Sequence, residues 1–177
     1  MREIKFRALD ASEIDVRVAM CRKNGVSLLL YKDARVDMKI LDEVFGIMGW
    51  QRSHQLIGDR LYCTVSVYDE DTDTWISKQD VGTESNTEKE KGQASDAFKR
   101  ACFNIGIGRE LYTAPFIWVP AERVNIQTDG QSCKTFDKFK VEKIDIREGV
   151  IKQISIINET MSLAKGEIVR AFVRTEK

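Results

Sequence analysis

The sequence has few of the residues that metal binding or nucleophilic catalysis would need. It contains one histidine, His54, and four widely separated cysteines, at Cys21, Cys63, Cys102 and Cys133, with no C-x-x-C pair. Zinc sites need closely spaced thiolates or imidazoles, and His54 has no recognisable triad partner. We interpret the cysteines as small core or neutral residues and His54 as a strand-surface or hydrogen-bonded side chain. We therefore expect neither a catalytic residue nor a metal or cofactor.

Net charge and long apolar runs are also lacking. The 28 basic residues are balanced by 28 acidic ones, so any nucleic-acid binding would require the basic residues to be segregated onto one face. No apolar run approaches the roughly 20 residues that span a bilayer, and the first residues lack the apolar segment of a secretory signal. The pattern G-x-x-x-x-G-K-[ST] is missing, which argues against ATP binding. A cytoplasmic protein without membrane contacts is expected.

Hydrophobic periodicity predicts an α+β fold. Two hairpins are indicated by Asn24-Gly25 and Gly58-Asp59, each between apolar strands. The predicted strands are 13–20, 26–31, 50–57, 61–68, 74–81, 135–146, 150–157 and 168–174, the last two separated by a loop at 158–166. The predicted helices are 35–48, capped by Asp33, and 85–105, opened by a Ser85–Glu88 capping box.

This order of elements predicts an antiparallel β-sheet with a β-β-β-α core and the helices on one face, because hairpin-linked strands pair antiparallel. We expect a core domain over residues 1–114. Residues 115–177 are expected to form a small β-rich C-terminal extension packed on it.

The helix at 85–105 contains the main candidate for chemistry. Its apolar stripe comprises Ala94, Ala97, Phe98, Ala101, Cys102 and Ile105. Lys99 and Arg100 are neighbours that point to different sides of the helix, with Arg100 roughly opposite the stripe. Together they cover a broad basic edge that can contact successive phosphates of one strand. Spacing alone favours a simpler interpretation, a solvated helix face whose cations pair with Glu88, Glu90 and Asp96.

Two further features leave alternatives open. Phe103 lies on the polar side of this helix, between Lys99 and Arg100, where it suits base stacking or packing against a second layer, and we favour packing. The acidic turn at 69–73 alternates like a metal loop but lacks the Gly and distal Glu of a calcium site, which favours a solvated turn. A metal-dependent nuclease using Asp69, Asp71, Asp73 and Asp80 is the least favoured alternative.

An ordered set of short motifs resembles the annealing domain of the Rad52 family, and most of all its bacteriophage and prophage branch. The similarity covers about residues 13–112, and its sharpest element is Asp-x-x-Lys-Arg-Ala after a Val-Gly strand end. The motifs are Glu13-x-x-x-Arg17, Arg35-Val36, Val44-Phe45-Gly46 with Gly49-Trp50, Asp80-Val81-Gly82, and Asp96-Ala97-Phe98-Lys99-Arg100-Ala101 with Gly106.

The resemblance implies a β-β-β-α core that assembles into rings or helical filaments and carries single-stranded DNA in a basic groove. It implies annealing without ATP, a partner nuclease or single-strand-binding protein, and, for a phage protein, the cytoplasm of a bacterial host. A protein that only protects single strands or loads a recombinase is the alternative.

The family's DNA-binding positions are matched here by Arg17, Lys99 and Arg100. The next family arginine, one turn further along the helix, is matched by Phe103. The acidic turn lacks the basic residue of the family's outer DNA site, for which Lys89 and Lys91 are candidate substitutes.

Overall fold

In the computed structural model, the described residues are 4–83, 89–130 and 132–175, and they form eleven strands and three α-helices. In chain order these elements are β1 (Asp15–Arg22), β2 (Gly25–Tyr31), α1 (Ala34–Phe45), β3 (Trp50–Ile57), β4 (Arg60–Asp69), β5 (Thr74–Val81), α2 (Lys89–Ile105), β6 (Ile117–Pro120), β7 (Gln127–Asp129), β8 (Ser132–Lys134), β9 (Phe139–Arg147), β10 (Val150–Asn158), α3 (Glu159–Lys165) and β11 (Arg170–Arg174). Neighbouring strands pair antiparallel, which confirms the predicted α+β class. None of the helices described is long and apolar enough to cross a membrane.

The chain forms two compact units. The first comprises residues 1–7 and 33–109, and the second comprises residues 8–32 and 110–177. The chain thus passes into the second unit between Arg109 and Glu110. The domain boundary expected at residue 114 stays a prediction.

The first unit has the predicted β-β-β-α order. Its sheet, in the order β3-β4-β5, places Cys63, Val65 and Val67 on one buried face. The helix α2 packs on β4 and β5, and the Phe98 ring stacks on Trp50 with a centroid distance of 6.0 Å. Burial raises the pKa of the Cys63 thiol to about 11, so this cysteine is a neutral core residue at physiological pH.

The second unit contains a six-stranded sheet in the order β11-β10-β9-β1-β2-β6. The hairpin predicted at Asn24-Gly25 joins β1 to β2, and β1 also pairs with β9 through Asp15 and Lys140. The strands β9, β10 and β11 therefore share a sheet with the first hairpin, whereas β7 and β8 pair with each other in a separate two-stranded sheet. Val26 and Leu28 are buried on its inner face.

A short helix follows β10 where a loop was expected. The expectation of a loop at 158–166 is wrong, because residues 159–165 form α3. The Asn158 side chain caps this helix by accepting a hydrogen bond from the Met161 N–H at 3.0 Å, and asparagine is among the strongest N-caps. The capping box expected at Ser85–Glu88 lies outside the described residues.

Candidate nucleic-acid interface

The helix α2 fixes the backbone positions of Lys99 and Arg100. The side chains of Ala97, Phe98 and Ala101 have no exposed surface, and Cys102 is equally buried. The central part of the predicted apolar stripe is thereby confirmed, while its end members Ala94 and Ile105 are half-buried. Lys99 and Arg100 follow Phe98 directly and are both half-buried, so a well-packed helix turn holds their Cα atoms in place.

Arg100 contacts the strand β5 and not only solvent. Its Nη2 lies 3.3 Å from Oδ1 of Asp80, and its Nε is buried without a hydrogen-bond acceptor among the described residues. Asn104, one turn later, donates to Oδ2 of the same carboxylate at 3.3 Å. The simpler interpretation of a solvated helix face therefore does not describe Arg100, which is half-buried and pairs with Asp80 of β5. A helical wheel describes α2 alone and omits β5, which runs alongside it.

Asp96 is likewise engaged outside α2. One of its carboxylate oxygens accepts hydrogen bonds from the backbone N–H and the hydroxyl of Thr83, both at 2.9 Å. The carboxylate therefore ties the middle of the helix to the segment that follows β5.

Lys99 lies on the other side of α2, close to the start of α1. Asp33 caps α1 by accepting from the Arg35 backbone N–H at 2.8 Å, as expected. The side-chain hydrogen bond from Arg35 is the main cause of a lowered pKa for Asp33, and the positive charge of Lys99 lowers this pKa further. Arg100 thus pairs with a carboxylate of β5, and the charge of Lys99 acts on the Asp33 carboxylate at the start of α1.

Three further candidate DNA-binding residues lie on α2, and the structure describes the side chains of two of them. Lys91 is exposed and Phe103 is half-buried, so stacking and packing both stay predictions for Phe103. Lys89 begins the helix, but its side chain lies outside the described part.

Arg109, which follows the end of α2, was not among the site residues predicted from the sequence. Its guanidinium donates to the Phe103 carbonyl at 2.7 Å and to the Asn104 carbonyl at 2.8 Å. A cation therefore lies at the C-terminal end of the helix, where it complements the helix dipole.

Arg17 belongs to the second unit, whereas the other candidates belong to the first. It is an exposed residue of β1, opposite Leu29 of β2. Because side chains alternate across a strand, Arg17 lies on the face of the sheet opposite to the one that buries Val26 and Leu28.

The acidic turn is more ordered than the sequence indicates. Asp69 is 6% exposed and accepts hydrogen bonds from the Thr72 hydroxyl at 2.7 Å and the Asp71 backbone N–H at 3.2 Å. The expected fully solvated turn is therefore wrong at Asp69, which organises the loop.

The groups proposed for a nuclease are separately engaged. Asp69 is held within its turn, and Asp80 faces Arg100. Across residues 4–83, 89–130 and 132–175, no group of three or more His, Cys, Asp or Glu side chains is arranged to hold a metal ion. His54 is hydrogen-bonded, as expected, through its Nε2 to the Ala94 carbonyl at 3.1 Å.

Asp80 is the second site residue that the argument from spacing missed. It was present in the Asp80-Val81-Gly82 motif, which is the signal that could have assigned it to the site. The structure gives it a role, since its carboxylate contacts both Arg100 and Asn104.

Comparison with known proteins and families identifies the family of the chain. No protein of curated function is similar enough in sequence to count as a match. The model of the Rad52/22 family of double-strand break repair proteins matches residues 7–129, which is more than half of the chain and includes Arg17, Asp80, Lys99 and Arg100. The chain therefore belongs to the Rad52/Rad22 family.

Proposed function

We propose that this protein binds single-stranded DNA and anneals complementary strands without ATP, as a non-enzymatic factor in homologous recombination and repair. The observation that carries the proposal is the family match over residues 7–129, combined with the position of Lys99 and Arg100 on a helix whose other face is fully packed. Cations held by a rigid helix suit phosphate binding because little side-chain and backbone order is lost when the ligand arrives.

In this mechanism the protein positions strands and breaks no bond. The ammonium of Lys99 and the guanidinium of Arg100 hold phosphates on two sides of α2, with Lys91 and Lys89 as additional contacts near its start. Arg17 supplies a further cation from β1. Phosphate contacts carry no sequence information, so the base edges remain free to pair with a complementary strand.

The zero net charge fits a protein that acts as an assembly. A ring or helical filament would repeat one short basic edge many times, and repetition raises the affinity for a long strand without new contacts. We include in the proposal a bacteriophage or prophage origin, the host cytoplasm as its location, and a nuclease or single-strand-binding protein as partner.

The double variant Lys99→Glu/Arg100→Glu tests this site. We expect roughly a 100-fold loss of affinity for single-stranded DNA, since two charge-assisted contacts of about 1.5 kcal/mol each are lost. Annealing of complementary oligonucleotides without nucleotide should fall with it. Fluorescence anisotropy measures binding, and duplex formation followed with a quenched fluorophore measures annealing.

A matched control is Arg60→Glu/Lys78→Glu, which makes the same charge change at exposed residues of the same unit. It should bind and anneal nearly as the wild type does. If the double variant does not fold, Lys99→Glu alone tests the site, because this single substitution places no carboxylate beside Asp80. Normal binding by a folded double variant contradicts the site. Binding without faster annealing favours the protector or loader, and magnesium-dependent degradation of DNA favours the nuclease.

A further inference from the structure

The outer face of β1, β2 and β6 carries exposed apolar and aromatic side chains. Phe116, just before β6, is 76% exposed, Leu29 is 48% exposed and Met20 is 43% exposed. Trp118 lies on the same face, because Met20, Ser27 and Trp118 are directly paired across the three strands. Leu29, two residues after Ser27 on β2, also shares this face. A monomeric protein rarely leaves such a patch without a binding role.

The two aromatic rings are held in one orientation. The rings of Phe116 and Trp118 are nearly parallel, with an interplanar angle of 16° and a centroid distance of 6.4 Å. Gly25 makes room for the indole, because a Cβ at this position would lie 2.6 Å from Cζ2 of Trp118. The pair thus presents preorganised planar surfaces at the edge of the sheet.

Cations border these rings on the same face. Arg17 pairs with Leu29, and Arg22 pairs with Gly25 in the row that ends at Pro120. The Nε of Arg22 lies 3.0 Å from Sδ of Met20, a weak acceptor that leaves the positive charge of the guanidinium available. The one carboxylate of β1 on this face, Asp15, lies opposite Lys140 of β9. The face therefore combines planar aromatic surfaces with cations at their margin.

We propose that this face is a stacking site for the bases of single-stranded DNA, with Phe116 and Trp118 contacting bases and Arg17 and Arg22 contacting the neighbouring phosphates. Planar aromatic side chains beside cations are the combination that holds unpaired strands without sequence preference. A partner that is purely apolar would gain nothing from the arginines. The inference rests on the proposed binding of single-stranded DNA and extends it to the second unit, where stacking splays bases for pairing.

Phe116→Ala tests the stacking site, because this exposed side chain contributes little to the core. We expect an affinity for oligo(dT) at least about fivefold lower, the effect of losing one stacked base. The affinity for an abasic strand of equal length should be unchanged, because that strand has phosphates but no bases. Phe116→Trp should restore the preference for oligo(dT) over the abasic strand.

Phe136→Ala is the matched control. Phe136 is 69% exposed in the same unit, and the ammonium of Lys134 lies 5.4 Å from its ring centre. This variant should bind both strands as the wild type does. Mass photometry of every variant reports whether the assembly is intact.

Three results would overturn the inference in different ways. Equal oligo(dT) binding by the wild type and Phe116→Ala would remove the stacking site and leave the proposed function standing. If Phe116→Ala lowered the affinity for oligo(dT) and for the abasic strand equally and also reduced the size of the assembly, this face would be a contact between copies of the chain. A wild type that binds no single-stranded DNA would overturn the proposed function itself.

Discussion

At the scale of single residues, the positive charge of each of the two central cations acts on a carboxylate. Arg100 contacts Asp80 at 3.3 Å, and Lys99 lies near enough to Asp33 to lower its pKa. A phosphate that binds here competes with these carboxylates for the same positive charge. The carboxylates therefore weaken binding to any single phosphate and favour a ligand that offers many phosphates at once.

Asp33→Asn should strengthen DNA binding. The Asp33 carboxylate is ionised at neutral pH, where it pairs with Arg35 and is acted on more weakly by Lys99, so the substitution removes a negative charge that opposes both cations. We expect the affinity for single-stranded DNA to rise about two- to threefold at low salt, the size of an exposed ion pair, and the gain to disappear as salt screens it. Anisotropy titrations at several salt concentrations measure this effect.

The stability of Asp33→Asn should change little, because asparagine caps helices as well as aspartate does. Asp59→Asn, at an exposed residue of the β3–β4 turn, makes the same charge change without Lys99 nearby and should leave affinity unchanged. Equal gains from both substitutions would mean that net charge, and not the position of Asp33, controls binding.

At the scale of elements, the contact between β5 and α2 leaves no room at Gly82. A Cβ there would lie 2.2 Å from the Gln93 carbonyl oxygen and 2.8 Å from the Ala97 backbone nitrogen. Both are backbone atoms of α2, so the whole helix would have to move. Since α2 carries Arg100, Gly82 sets the distance between this cation and Asp80.

Gly82→Ala should lower the free energy of unfolding by about 3 kcal/mol, near the upper end for overpacked sites. Urea denaturation followed by tryptophan fluorescence measures the change. Gly58→Ala is the control, because a Cβ there meets nothing within 4 Å and only its φ of 65° opposes the substitution, at a cost of about 1 kcal/mol. Equal effects of the two substitutions would contradict a close approach at Gly82.

The periodicity of apolar residues predicts individual helices and strands well, but it predicts the contacts between them poorly. The stripe of Ala97, Phe98 and Ala101 and the turn at Gly58-Asp59 follow from spacing and turn chemistry within a few residues, whereas the first hairpin turns one residue earlier than predicted, at Lys23-Asn24. The pairing of Asp15 with Lys140 joins strands more than a hundred residues apart, and no local pattern encodes it. The contact of Arg100 with Asp80 was missed for the same reason, since a helical wheel contains no neighbouring strand.

At the scale of the whole molecule, a chain without net charge must bind a polyanion through placement of its charges. The candidate cations are few, and the charges of Lys99 and Arg100 also act on carboxylates, so one protomer offers limited affinity. Linked copies raise the effective concentration of each next site along the same strand. The proposed ring or filament therefore makes strand length, and not base sequence, the variable that controls affinity.

Affinity should consequently keep rising with strand length well beyond the span of one protomer. Titrating oligo(dT) of about 6 to about 60 nucleotides by anisotropy at fixed salt measures this, since single-strand sites on one domain cover roughly 4–16 nucleotides. The slope of log affinity against log salt should steepen in parallel, because each added phosphate contact releases counterion. The Lys99→Glu/Arg100→Glu variant should lose most of this length dependence. If affinity instead levels off near 12 nucleotides with a constant salt slope, each protomer binds alone and the multivalent assembly is wrong.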